Sequence, residues 1–299
     1  MAHTLDIYQS LWAMEQRLLG PTEETVEQHL ARIAEAGYVG ACVDPNVSEI
    51  DDCLKLKPAF DALDLKCMVN AFPHDVASLE PLLDMALEMN ATQVNVIGGV
   101  MPLTPAAALP AIDTWLAMAE RYPFPLLLET HRNGTLNDLF FTLEVLEAAP
   151  DLRLCADLSH FVVDRELQLP LSDTDHRYFS TILDRSDSFQ GRISNNQQIQ
   201  IALDFPQHSA WVTQYQTWWE QGFKGWRDRQ SSDATLSFWS NWARPLMPLP
   251  ARISASCQIA GKKGYKSANG CRKSGPTLPT RTSRPNPAQA LIKSPTRPR

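Results

Sequence analysis

The sequence contains no run of ~18 consecutive apolar residues, the length a membrane-crossing helix needs, so no membrane span is expected. The opening MAHTLDIYQSLW has no basic stretch leading into a long apolar run, so no secretory leader is expected either. The six cysteines, Cys42, Cys53, Cys67, Cys155, Cys257 and Cys271, form no CxxC pair. Four of them stand in or beside apolar segments, where cysteine behaves as a small core residue. A reducing cytoplasm is the expected compartment.

A further absence divides the chain. No Asp or Glu follows Asp233, while 12 of the 27 Lys and Arg lie beyond it. The first 233 residues hold all 34 acidic and 15 basic side chains, a net of −19. Such a break in composition marks a boundary. The final segment, SGPTLPTRTSRPNPAQALIKSPTRPR, is rich in Pro, Ser, Thr and Arg. It cannot bury enough surface to offset the entropy of ordering it, so residues 239–299 are expected to be a disordered basic tail.

The whole chain is 44% hydrophobic, and what precedes the break is strongly patterned. TLDIYQSLW reads as a strand. TEETVEQHLARIAEAG reads as a helix that starts at Thr22, carries acids in its first turn and stops at Gly37. YVGACVD, LKCMVNAF, TQVNVIGG, FPLLLET, LRLCADLSH, SFQGRIS and ATLSFW read as further strands. Helix-like segments separate them, including one around residues 48–63, a weakly marked one near 173–185, and AWVTQYQTWWEQGF. Trp218, Trp219 and Trp226 recur at helical spacing and are expected in the core.

Strands alternating with helices specify a parallel sheet. Eight repeats in about 240 residues match a (β/α)₈ barrel, here assigned to residues 1–238. A doubly wound open sheet is the rival, but GGV at 98–100 is too short for a phosphate-binding glycine fingerprint.

In such a barrel the active site forms at the C-terminal strand ends. PLLLETHRNG drives an apolar run straight into Glu129, which is costly unless the carboxylate meets solvent, a partner or a cation. Asp157 ends strand six, 28 residues later, and Gln190 and Arg192 lie on strand seven, with Gln190 33 residues further on. Two carboxylates with a neutral oxygen donor suit a divalent cation such as Mg²⁺ or Mn²⁺. Each residue also has a plainer reading: Glu129 as a loop residue, Asp157 as a helix cap, His131 and His160 as structural histidines.

The strings LLLETHRN, LRLCADLSHF and GRISNNQQIQ resemble the xylose isomerase-like TIM-barrel family, also named sugar phosphate isomerase/epimerase, over roughly residues 4–238. The opening IYQSLWAME fits that family's first strand. The resemblance implies a metal-dependent isomerase or epimerase of a small sugar, sugar phosphate or polyol, acting through an enediolate. It implies Glu129 and Asp157 as ligands of Mn²⁺ or Mg²⁺, with Zn²⁺ or Co²⁺ as alternatives. Gln190 stands near the place of a ligating histidine. Glu129 would also move the proton, with His160 as a catalytic neighbour. Arg192, His131 and Trp12 would contact the substrate. The family's strand-eight glutamate has no counterpart here, since no glutamate follows Glu220. A shifted reading frame beyond Phe238 permits LVELGPPYAITGAD, which would restore it.

Two other functions compete. An endonuclease IV-like nuclease would need many His and carboxylate ligands. Only seven histidines occur, at 3, 29, 74, 131, 160, 176 and 208, and a barrel of net −19 repels phosphate backbones. No specific nucleic-acid partner is expected. A non-catalytic sugar-binding barrel is the other alternative.

Overall fold

A computed structural model describes residues 3–15 and 24–241, together with the backbone strand Lys266–Ser267. Eight parallel strands form the barrel: β1 (Thr4–Ser10), β2 (Gly40–Val43), β3 (Lys66–Ala71), β4 (Ala91–Val96), β5 (Leu126–Glu129), β6 (Leu154–Ala156), β7 (Ser186–Gln190) and β8 (Thr235–Ser240). They run in chain order around the ring, and β1 pairs with both β8 and β2, so the sheet closes on itself. β9 (Lys266–Ser267) lies parallel to β1 at Thr4 and Leu5.

The strand read over ATLSFW closes the ring: β8 pairs with β1 along its whole length, from Thr4↔Thr235 to Gln9↔Ser240, and with β7 from Ser188↔Ser237 to Gln190↔Trp239. The reason is local: TLSFWS alternates and carries aromatic and β-favouring residues that pack on both faces. Of the disordered tail expected over 239–299, Trp239 and Ser240 instead complete β8 and Asn241 is buried beside it; the remainder, β9 apart, lies outside the described residues.

Nine helices cover the barrel among the described residues: α1 (Val26–Glu35), α2 (Ile50–Leu54), α3 (Lys57–Ala62), α4 (Leu79–Glu88), α5 (Pro105–Ala119), α6 (Leu139–Ala148), α7 (Leu158–Asp164), α8 (Asp173–Asp184) and α9 (Ser209–Arg229). The cap of α1 is Thr25, in a capping box with Gln28, rather than Thr22. The single helix expected over 48–63 is two short ones, α3 restarting with Pro58 in its first turn. Trp211, Tyr215, Trp218, Trp219, Phe223 and Trp226 form the buried face of α9. Trp218 stacks on Phe179 at 4.4 Å, and Trp219 meets Phe238 edge-on at 5.3 Å. Burying each such ring contributes about 2–3 kcal/mol, which fastens α8 and α9 over β7 and β8.

Inside the barrel, strand periodicity sorts residues into layers. Tyr8, Cys42, Met68, Leu127, Cys155 and Trp239 pack together as one interior cluster. Cys42, Cys67 and Cys155 are buried free thiols. Residues two positions further along point the same way, because side chains in a strand alternate. That step takes Tyr8 to Ser10, Cys42 to Asp44, Leu127 to Glu129, Cys155 to Asp157 and Trp239 to Asn241. An apolar floor therefore carries a polar layer at the C-terminal end.

Candidate functional site

The polar layer opens into a cavity of about 560 Å³ at the C-terminal strand ends. Its walls include Asp44, Glu129, His131, His160, Gln190 and Arg192, and its rim includes Trp12. Six of the seven residues singled out from sequence thus line one cavity, with the seventh, Asp157, directly beneath.

Glu129 ends β5 and is only 1% exposed. Its Oε2 is buried without a hydrogen-bond partner, and its Oε1 has only the end of the Gln190 amide nearby, at 3.5 Å. Burial pushes the carboxyl well above its ordinary value, the Asp157 charge adds to this, and Arg192 opposes it. The plain loop reading of Glu129 therefore does not hold.

Asp157 is both a helix cap and the hub of a buried ion cluster. The strand expected to run through His160 stops at Ala156, and α7 begins at Leu158. The physical reason is the aspartate itself: its Oδ1 accepts from Ser159 N at 2.9 Å and caps the helix. Its Oδ2 lies 3.3 Å from His160 Nε2 and 3.4 Å from Arg192 Nη1. Burial alone would raise this carboxyl, but Arg192, His160 and Ser159 hold it well below the usual range. Arg192 sits just past the end of β7 rather than within it. It reaches His160 Nε2 at 3.2 Å, and Asn241, its side-chain oxygen turned to the guanidinium, accepts from Arg192 Nε at 3.1 Å and from Nη2.

Gln190 lies between the two carboxylates. With its NH2 turned toward Asp157, it donates to Oδ1 at 3.2 Å and also to Oδ2. Turned over, it presents its carbonyl oxygen there. Among the described residues no group of three or more His, Cys, Asp or Glu side chains forms a metal cage.

His131 follows Glu129 by two residues and lies against His160, ring centroids 4.1 Å apart. Burial lowers its pKa to about 3, with His160, Arg192 and Arg132 acting in the same direction. The ring is therefore neutral. Its Nδ1 accepts from Asn133 N at 3.2 Å, which leaves the proton on Nε2. Trp12 sits in a 3₁₀ turn after β1, half-exposed at the rim.

Asp44 was not singled out from sequence. It follows β2, lines the cavity, and is partly exposed at its edge while its Oδ2 is buried without a partner. Burial raises its carboxyl to about 7, against the hydrogen bond from Asn70. Asn70 Nδ2 donates to Asp44 Oδ1 at 2.8 Å, Asn95 Nδ2 to Asn70 Oδ1 at 2.8 Å, and Gln93 Nε2 to Asn95 Oδ1 at 2.6 Å. A chain of amides thus runs from β4 through β3 to the carboxylate on β2. The signal was present in YVGACVD, an apolar strand ending in a carboxylate as PLLLE does.

No family model matches the sequence, and no curated protein matches it. Solved structures do resemble it. A D-tagatose 3-epimerase-like protein aligns with 85% of this chain and 98% of its own at 12% identity and a TM-score of 0.57. A D-allulose 3-epimerase from Methylomonas sp., solved with D-allulose, aligns with 86% of this chain and 94% of its own at 12% identity and a TM-score of 0.51. A Rhodospirillum rubrum protein provisionally described as a xylose isomerase aligns with 86% and 97% at 14% identity and a TM-score of 0.51. At these identities the likeness is one of fold, and the chain shares the closed (β/α)₈ barrel of these structures.

Proposed function

We propose that the cavity binds a small sugar or polyol-derived carbonyl compound and moves a proton at the carbon beside the carbonyl, as an isomerase or epimerase. The observation that carries this reading is Glu129: a buried carboxylate at the strand end, one oxygen without a partner, in the lining of a cavity of small-molecule size. Burial that raises its carboxyl favours holding a proton there, as a proton-transfer group does in part of its cycle. The neutral His131 can donate its Nε2 proton in a hydrogen bond to an oxygen that gains charge, and Arg192 adds fixed positive charge. The epimerase neighbours support the reading through their shared barrel and their sugar chemistry.

The donor set fits a divalent cation. Glu129 Oε2 is orphaned, the Gln190 carbonyl faces the Glu129 side when its NH2 is turned to Asp157, and Asp157, held by Arg192, His160 and Ser159, would have to yield part of that network to ligate an ion. Hard cations such as Mg²⁺ and Mn²⁺ take oxygen ligands of this kind. When bound there, such an ion would supply Lewis-acid polarisation of a carbonyl and its neighbouring hydroxyl. The residues around it bind and orient the substrate, while Glu129 handles the proton.

Calorimetric titration with Mn²⁺ tests the ligand assignment, comparing the protein with Glu129→Ala and Asp157→Ala. Affinity should fall at least ~10-fold in each variant; equal binding by all three would sink it. Proton exchange from D2O into ketoses and aldoses, followed by NMR, tests the chemistry. Binding of sugars with no exchange at any carbon would favour a non-catalytic sugar-binding barrel.

A further inference from the structure

Inverting one carbon through an enediolate requires a proton to leave from one face and arrive at the other, so each face needs its own acid or base. Glu129 serves one face. β8 cannot serve the other, because the sequence holds no carboxylate after Asp233. Asp157 is committed beneath the cavity to Arg192, His160 and Ser159. Among the described residues, the carboxylates that line the cavity are Glu129 and Asp44.

Their placement is what two-sided chemistry needs. Asp44 follows β2 and Glu129 ends β5, three strands apart in a closed ring of eight. The two side chains therefore enter the cavity from different sides. Asn70 holds Asp44 Oδ1 at 2.8 Å and fixes the carboxyl plane, leaving Oδ2 unpartnered. Glu129 likewise keeps Oε2 unpartnered.

We propose that Asp44 is the second acid/base residue of this site, opposite Glu129, and that the reaction is epimerisation at a carbon beside a carbonyl. The proposal rests on the proton-transfer reading above and narrows it. In the forward direction Glu129 takes the proton as the carbon–hydrogen bond breaks. The electron pair moves into the new carbon–carbon double bond, and the former carbonyl oxygen takes up the charge. The Asp44 carboxyl then gives its proton to the same carbon from the other face as the carbonyl reforms. Glu129 is left protonated and Asp44 ionised, and exchange with water resets both. A carboxyl held near pH 7 populates both forms at neutral pH, which such a role demands.

The test uses D-fructose and D-allulose, which differ only at carbon 3. Each is incubated in D2O with the full chain, with and without Mn²⁺, and carbon 3 is followed by NMR. The native protein should interconvert them with deuterium entering at that carbon. Asp44→Asn, which keeps the acceptor for Asn70, should lose interconversion by ~100-fold or more. It should still exchange the hydrogen of the one sugar whose carbon 3 hydrogen faces Glu129. Glu129→Gln should show the mirror image, exchanging only the other sugar. Asp44→Glu, which keeps the carboxyl, should recover part of the interconversion. Interconversion by Asp44→Asn within about threefold of native would overturn the role of Asp44 while leaving the proton-transfer reading intact. Equal loss of exchange into both sugars by a folded Asp44→Asn would overturn it as well. A native protein inert toward both ketoses would remove the proton-transfer reading for them, and Asp44's role with it.

Discussion

Thr130 and Asp157 are joined twice through one hydroxyl. Thr130 Oγ1 accepts from Asp157 N at 2.9 Å and donates to Asp157 O at 2.9 Å, both groups being buried. The backbone on either side of the central carboxylate is thereby pinned to the end of β5. Thr130→Val keeps the shape and removes both hydrogen bonds, leaving a buried N–H and C=O without that partner. It should destabilise the fold by about 2–4 kcal/mol in urea unfolding. Thr130→Ser, which keeps the hydroxyl, should cost no more than about 1 kcal/mol.

The ion cluster around Asp157 predicts strong coupling. Arg192→Met leaves a fully buried carboxylate with less compensation, and should cost about 3–5 kcal/mol. Asp157→Asn combined with Arg192→Met removes both charges and should cost less than the two single changes added together. A double-mutant cycle by denaturant unfolding should give about 1–3 kcal/mol of coupling. Strict additivity would mean that the pair is screened in solution.

Asp44 predicts a pH dependence of known sign. Its carboxyl ordinarily titrates at 3.8 and is raised in the fold to about 7. Between those values the unfolded chain releases the proton first, so rising pH favours unfolding. The stability from protonated Asp44 is complete below about pH 4 and lost by about pH 7. Glu15 strengthens the shift, whereas Asn70, Arg192 and the Trp12 backbone weaken it. Asp44→Asn cannot titrate, so its stability relative to the native protein should rise from pH 4 to pH 8. The gain should be about 1–3 kcal/mol, each pH unit between the two pKa values being worth about 1.4 kcal/mol before solvent screening. Unfolding midpoints across that range decide it, and a flat difference would refute the assignment.

The pairing of β8 predicts where the chain can be cut. Its ladder with β1 is complete at Ser240. A chain ending after Asn241 should keep its thermal midpoint within about 4 °C, equivalent to ~1 kcal/mol for a protein of this size. One ending after Asp233 should expose the edges of β1 and β7 and associate. Calorimetry and light scattering separate the outcomes. Sequencing the gene across codons 234–245 tests separately whether the basic tail is in its native frame.

The barrel was legible because its strands and helices alternate in the sequence at a steady interval, and Glu129 because an apolar run ends on it. Element ends were harder to read. LRLCADLSH continues the strand pattern through His160, yet Asp157 caps a helix at Leu158 instead. Periodicity cannot register a side chain that competes for its own backbone. Asp44 escaped notice because Asp-Pro-Asn reads as a turn. Its importance comes from Asn70 and from the cavity, and both depend on distant strands.

The amides beneath Asp44 all point one way. Gln93, Asn95 and Asn70 each direct an NH2 toward the next oxygen, and the last reaches the carboxylate. Three side-chain dipoles, two on β4 and one on β3, are thus aligned head to tail, positive ends toward Asp44. No single amide can turn over without stranding its neighbours, so the row behaves as one polarised unit with two settings. The barrel wall itself thereby carries a built-in electric bias toward Asp44, supplied by neutral residues and independent of any ion in solution.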